Sequence, residues 1–80
     1  MDYNNLIKDI DELMKSVAKY KDDGLAAQIT TMALTHRAIM RQLSKSTDPI
    51  APATRTQAFV NYDEFRKIVV EYIKEQEGGV

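Results

Sequence analysis

The fold is decided by residues 24–45, which read GLAAQITTMALTHRAIMRQLSK. No residue between Gly24 and His36 carries a formal charge. A helix with one side in water normally shows a charged residue within every turn or two. This segment is therefore predicted to be a helix that is buried on two sides.

Apolar residues in this helix recur in steps of three and four, which places them in stripes along its surface. The main stripe contains Leu25, Ile29, Met32, His36, Ile39 and Leu43, and it is flanked by Ala26, Ala33 and Met40. A second, weaker stripe on another side contains Ala27, Thr31, Leu34 and Ala38. We expect the main stripe to enter the core of the chain, which leaves the second stripe for another contact.

A first helix is predicted over about residues 3–21. Its apolar stripe has the same spacing and contains Tyr3, Leu6, Ile10, Leu13, Val17 and Tyr20. Asp22, Asp23 and Gly24 follow, a glycine that tolerates the left-handed conformation and two aspartates that can cap the next helix. So short a connection predicts that the first two helices form an antiparallel hairpin.

Residues 46–60 lack helical periodicity and contain Pro49 and Pro52, so they are predicted to form a long surface connection. A third helix is predicted over about residues 62–77. Asn61 and Glu64 fit a capping box at its start, and Val60 and Phe65 fit a hydrophobic staple. Its apolar stripe contains Tyr62, Phe65, Val69 and Tyr72.

These segments predict an all-α fold: a three-helix bundle in which residues 1–80 form one domain. A chain of this size buries only about 60% of the surface that its unfolded form exposes. The sequence contains no cysteine, so disulfide bonds cannot stabilise it. Association with a second copy is the remaining means of support, and we expect a homo-oligomer, most simply a twofold dimer.

The composition is that of an ordinary globular protein, with 44% hydrophobic residues, 29% charged residues and a net charge of −1. No apolar run approaches the length of about 18 residues that a membrane span needs. The first residues lack the features of a signal peptide. We expect a soluble, cytoplasmic protein that does not bind membranes. No motif assigns it to a family, although its composition is of a kind frequent among phage and mobile-element regulators.

Catalytic constellations are missing from the sequence. A single histidine, His36, excludes the HExxH motif and paired-imidazole metal sites, and three glycines cannot build a phosphate-binding loop. The acidic residues Asp9, Asp11 and Glu12 fall on the side of the first helix that is predicted to face water. We therefore expect a protein without enzymatic activity, cofactor or metal.

His36 lies in the middle of the main stripe of the second helix. One interpretation is a packed histidine whose ring nitrogens are satisfied by a neighbour. The alternative is a pH-sensitive contact between helices, because charging an enclosed imidazole would weaken the assembly.

Arg37, Arg41 and Lys45 recur every four residues and form a basic ridge along the second helix. One explanation is that they suit the negative end of the helix dipole and lie beside acidic residues of a neighbouring helix. The alternative is an anion site that also uses Arg55, with residues 54–56 folding over a nucleotide, a nucleic acid or another anionic ligand.

Three helices in one small bundle each need one buried stripe, whereas the second helix offers two. The surplus apolar surface predicts a protein-interaction module, such as a regulator, inhibitor or assembly factor, that associates with itself or with another protein. The predicted contact residues are Ala27, Thr31, Met32, Leu34, Ala38 and Ile39.

Overall fold

The computed structural model describes residues 3–20, 22–46 and 52–78. Helix α1 comprises Tyr3–Val17 and is continued by a 3₁₀ turn at Ala18–Tyr20, α2 comprises Gly24–Lys45, and α3 comprises Pro52–Gly78. No strand occurs in these described ranges. The prediction of an all-α fold with three helices is confirmed.

The turn between α1 and α2 is fixed by Asp23. Its side-chain Oδ1 accepts a hydrogen bond from the backbone N–H of Leu25 at 3.0 Å, which makes it the N-cap of α2 as predicted. Its own N–H donates to the carbonyl of Tyr20 at 2.9 Å. The role predicted for Gly24 was wrong, because this residue is the first of α2 and has no positive φ angle.

Helices α1 and α2 lie side by side and run in opposite directions. At the turn, Tyr20 and Asp23 are joined by a backbone hydrogen bond. Farther from the turn, the guanidinium Nε of Arg37 lies 2.9 Å from a carboxylate oxygen of Asp11. Because residues before the turn contact residues after it both at the turn and farther along the two helices, α1 and α2 form an antiparallel hairpin.

The buried residues of α1 and α3 follow the predicted stripes. Ile10 and Val17 of α1 are buried, and the other members of that stripe are half-buried against the same core. The buried residues of α3 are Tyr62, Phe65, Val69 and Tyr72. Periodicity alone was sufficient to predict the buried side of these two helices, because charged residues flank both stripes.

The rotation of α2 differs from the prediction. Its buried residues are Ala26, Ile29, Ala33, Met40 and Leu43. Three members of the predicted main stripe, Leu25, Met32 and Ile39, are exposed instead. The buried positions are offset by one residue from the predicted ones. The alanines at these buried positions let the backbones of neighbouring helices approach closely, and packing therefore favours their burial.

Helix α3 begins at Pro52, ten residues before the predicted start. Proline suits the first helical position because its fixed φ is helical and its missing N–H would be unpaired there. The predicted connection is therefore wrong for residues 52–60, and its residues 47–51, with Pro49, lie outside the described residues.

The predicted cap of the third helix is also wrong, because Val60, Asn61 and Glu64 lie inside α3. The side chain of Asn61 does not cap the helix but accepts a hydrogen bond from Gln57 Nε2 at 2.9 Å, one turn earlier. A capping-box pattern occurs by chance in a polar helix and gives no boundary by itself.

Side-chain hydrogen bonds join α3 to the hairpin. Asp9 of α1 accepts from the hydroxyl of Tyr62 and from Arg66 Nε, the latter at 3.1 Å. The hydroxyl of Tyr72 donates to Asp23 Oδ2 at 2.8 Å. The expectation that Asp9 simply faces water was wrong, because this carboxylate bridges two helices. Burial and the hydrogen bond to Asp9 both raise the pKa of Tyr62.

Candidate interaction surface

The exposed side of α2 carries large apolar residues. Leu25, Met32, Leu34 and Ile39 expose 49%, 40%, 53% and 40% of their surface. Single exposed apolar residues are common on proteins, whereas four large ones on one helix make this helix the candidate for an interaction surface. All six predicted contact residues are exposed: Ala27, Thr31, Met32, Leu34, Ala38 and Ile39.

This surface consists of two rows. The groove row contains Leu25, Met32 and Ile39, which are exposed and seven residues apart; Leu25 and Ile39 line depressions beside α3. The outer row contains Ala27, Thr31, Leu34 and Ala38, the stripe that was predicted to remain for another contact. The six predicted contact residues are therefore divided between the two rows.

The outer row is less polar than its sequence suggests, because the threonine hydroxyls are already bonded. Thr31 Oγ1 donates to the carbonyl of Ala27 at 3.2 Å, and Thr35 Oγ1 donates to the carbonyl of Thr31 at 3.2 Å. Thr30 makes the same bond to Ala26 at 3.0 Å. Since the Thr31 hydroxyl donates to its own helix, its proton is not available for a hydrogen bond to a partner.

The boundary between α2 and α3, which we call the groove, holds two open depressions, one beside Leu25 and one beside Ile39. At one end Leu25 and Ile29 face Ile68 and Tyr72 across a depression. Ile68 is 52% exposed and adds a further large apolar side chain. At the other end Ile39 lies beside the first turns of α3, where the lining residues are Ala53, Thr54, Gln57, Ala58 and Asn61.

His36 lies at the boundary between α2 and α3 and is half-buried. Its ring stacks on Phe65, with ring centroids 4.7 Å apart and planes inclined by 28°. Burial lowers the pKa of His36 below its usual value. No hydrogen bond joins its ring nitrogens to another described residue, so its contact with the core is made through the stacked ring.

The residues of the predicted anion site are engaged or dispersed. Arg37 pairs with Asp11 of α1. This is an acidic neighbour of the kind expected if the basic ridge has a structural role and not an anion-binding one. Arg55 donates to the hydroxyl of Tyr3 and lies over its ring, 5.8 Å from the centroid. Arg41 and Lys45 are exposed. Residues 54–56 belong to the first turns of α3, so they cannot fold over a ligand as a loop.

Among the described residues, no three histidine, aspartate or glutamate side chains come together to hold a metal ion. In the same part of the chain, no helix is long and apolar enough to cross a membrane.

Sequence reasoning missed two features of this surface. It placed Leu25 in the core, although the residue borders the groove, and it did not anticipate that Ile68 would stand opposite. The sequence did contain one indication for Ile68. It lies three residues after Phe65, beside a stripe that already had enough apolar residues to form the buried side of α3. No sequence signal distinguishes Leu25 from Ala26, because both fit a helical stripe.

Comparison with protein families, with curated proteins and with solved structures found no match to this chain.

Proposed function

We propose that this chain is a non-enzymatic protein-interaction module that binds another protein chain through the exposed side of α2, either a second copy or a different protein. The observation that carries the proposal is the exposure of Leu25, Met32, Leu34 and Ile39 on one helix. A surface of this kind is costly to leave in water and gains free energy when another chain covers it.

The size of that gain supports a specific but modest contact. Full burial of a large aliphatic side chain is worth about 1.5–3 kcal/mol. Since these four side chains are about half exposed, covering them contributes about 1 kcal/mol each. Association costs at least about 4 kcal/mol of rotational and translational freedom. The four residues alone only balance that cost, so a stable complex needs further contacts beside them.

The anion-binding alternative has weaker support. Arg37 is held by Asp11, and Arg55 is held by Tyr3, so two of its four cations already have internal partners. An exposed pair such as Arg41 and Lys45 is ordinary on a helix surface and does not create a bidentate site.

The proposal is tested by Leu34→Glu and Ile39→Glu, which put a charge into each row without disturbing the buried core. Asn5→Glu on α1 is the matched control, because it adds the same charge at an exposed helical position away from α2 and the groove. For each variant, light scattering measures self-association of the purified protein, and affinity capture from the native host's extract measures retained partners.

We expect the unaltered chain to self-associate or to retain a discrete partner. We also expect Leu34→Glu or Ile39→Glu to abolish this contact, while Asn5→Glu preserves it. The proposal fails if the unaltered chain is a monomer that retains nothing, or if all three variants behave alike.

A further inference from the structure

We propose that the groove between α2 and α3 binds a basic amphipathic helix of a different protein. Leu25 and Ile68 line a depression at one end of this groove together with Glu71 and Glu75, Ile39 lines a second depression at the other end, and Met32 is exposed on α2 between them in sequence. This inference rests on the proposed function and names the chemistry of the partner.

The spacing of the groove row suits a helix. Leu25, Met32 and Ile39 are separated by seven residues, so the row extends over about 21 Å at a rise of about 1.5 Å per residue. A ligand helix of about 14 residues has the same length. Such a helix binds a groove through apolar residues spaced by three, four and seven positions, which form one face.

The rim of the groove is acidic at the end where Leu25 meets Ile68. Glu71 and Glu75 line this depression, and neither makes a hydrogen bond or ion pair with another described residue. Lys67 also lines it, but the ammonium group lies 3.4 Å from the carboxylate of Asp63. The two unpaired glutamates therefore dominate the local charge.

The turn before α2 adds to this acidic end. Tyr72, whose ring lines the depression, donates its hydroxyl hydrogen bond to Asp23. Asp23 in turn precedes Leu25 by two residues, and Asp22 beside it is exposed. Carboxylates thus stand on both sides of the apolar contact, and lysine or arginine side chains flanking an apolar helix face would complement them.

A second copy of this chain complements the groove poorly. A twofold contact places the same patch on both copies, so Glu71 and Glu75 of one copy would enter an interface that already contains the other pair. A contact from the outer row of one copy to the groove of the next is heterologous, so it would give a ring or a filament and not a twofold dimer.

The probe is a synthetic peptide of about 15 residues, long enough to span the groove row. It carries leucine at helical spacings of three, four and seven on one face and lysine on the flanks. A matched peptide has glutamate at every lysine position. Titration of ¹⁵N-labelled protein, followed by NMR, gives both the affinity and the location of binding.

We expect the lysine peptide to shift the amide signals of Leu25, Met32, Ile39 and residues 53–75 more than those of the outer row, and to bind more tightly than the glutamate peptide. In the double variant Glu71→Gln/Glu75→Gln the affinity for the lysine peptide should fall by roughly fivefold, which is the combined effect of losing two exposed charge pairs. Glu12→Gln on α1 is the control and should bind as the unaltered chain does. Circular dichroism verifies that each variant is folded.

The inference is overturned if both peptides bind equally, if neither binds, or if the shifts centre on the outer row. It is also overturned if light scattering shows twofold dimers or filaments that the lysine peptide disperses, because a second copy then occupies the groove. The proposed function would survive any of these results, provided that Leu34→Glu still abolishes self-association or capture. If Leu34→Glu and Ile39→Glu change nothing, the proposed function itself fails.

Discussion

The imidazole of His36 on α2 stacks against the ring of Phe65 on α3, with centroids 4.7 Å apart. Phe65 is almost fully buried, at 2% exposure. This contact joins a titratable group to the centre of the core at the boundary that also forms the proposed binding groove.

The stability of the chain should fall as the pH drops below the usual histidine pKa of about 6.5. Burial lowers the pKa of His36 in the folded state, so in this range the unfolded state binds more protons than the folded state. The contribution is fully present above about pH 6.5 and is lost as the pH falls through the folded-state value. Thermal melts of the unaltered chain and of His36→Gln, recorded between pH 8 and pH 5, measure it.

The unaltered chain should lose more melting temperature over this interval than His36→Gln does. Identical pH dependence in the two proteins would show that the stacked ring does not couple to proton binding.

Removing Asp9 should destabilise the bundle more than removing a nearby exposed carboxylate. Asp9→Ala leaves the half-buried hydroxyl of Tyr62 and the guanidinium of Arg66 without their acceptor. Loss of a hydrogen-bonded partner costs about 1–3 kcal/mol. Glu12→Ala, at an exposed position of the same helix, should cost less than about 0.5 kcal/mol. Urea denaturation compares the two, and equal losses would contradict the role of Asp9 as a bridge between helices.

Proline substitutions test where α3 begins. Thr56→Pro removes a backbone hydrogen bond inside the helix and should cost about 3 kcal/mol. Ala53→Pro lies in the first turn, where the N–H has no helical partner, and should have little effect. Denaturant unfolding measures both variants. If Thr56→Pro is as well tolerated as Ala53→Pro, residues 52–60 form the irregular connection that the sequence suggested.

The Tyr72 hydroxyl should ionise late in an alkaline titration. Burial and the hydrogen bond to Asp23 raise the pKa of Tyr72 to about 12. The resulting stability is present below the unfolded-state pKa of about 10 and is lost as the pH rises toward 12. Ultraviolet absorbance of phenolate, with Tyr72→Phe identifying the signal, follows this titration. In Asp23→Asn the late component should move to lower pH, and an unchanged curve would contradict the assignment.

The sequence predicted those parts of the fold in which one stripe is clearly more apolar than its neighbours. Ile10 and Val17 in α1, and Phe65 and Val69 in α3, are bordered by charged residues, so only one rotation of each helix buries them well. Helix α2 has no such border between Gly24 and His36. Its rotation is set by how closely Ala26 and Ala33 allow neighbouring helices to approach, which is a property of the assembled bundle.

The candidate surface was predicted only in part, because the sequence does not determine the rotation of α2. The outer row is exposed because the rotation of α2 directs it away from the core, and its lack of charge is visible in the sequence. In the groove row, Met32 and Ile39 were among the predicted contact residues, whereas Leu25 was assigned to the core alone, and the depression that it lines together with Ile68 shows that it borders a surface. Pro52 was misinterpreted because a proline both ends helices and begins them, and the local sequence does not distinguish the two cases.

The central claim is that another chain covers the exposed side of α2, and thiol labelling in the native host tests it most directly. The sequence contains no cysteine, so Ile39→Cys on the exposed side of α2 and Lys74→Cys on the exposed side of α3 each provide a single reactive group. We predict that Ile39→Cys is labelled several-fold more slowly in cells than in dilute purified protein, relative to Lys74→Cys. Equal protection factors at both positions would mean that the apolar side of α2 remains open in the cell, and would contradict the account.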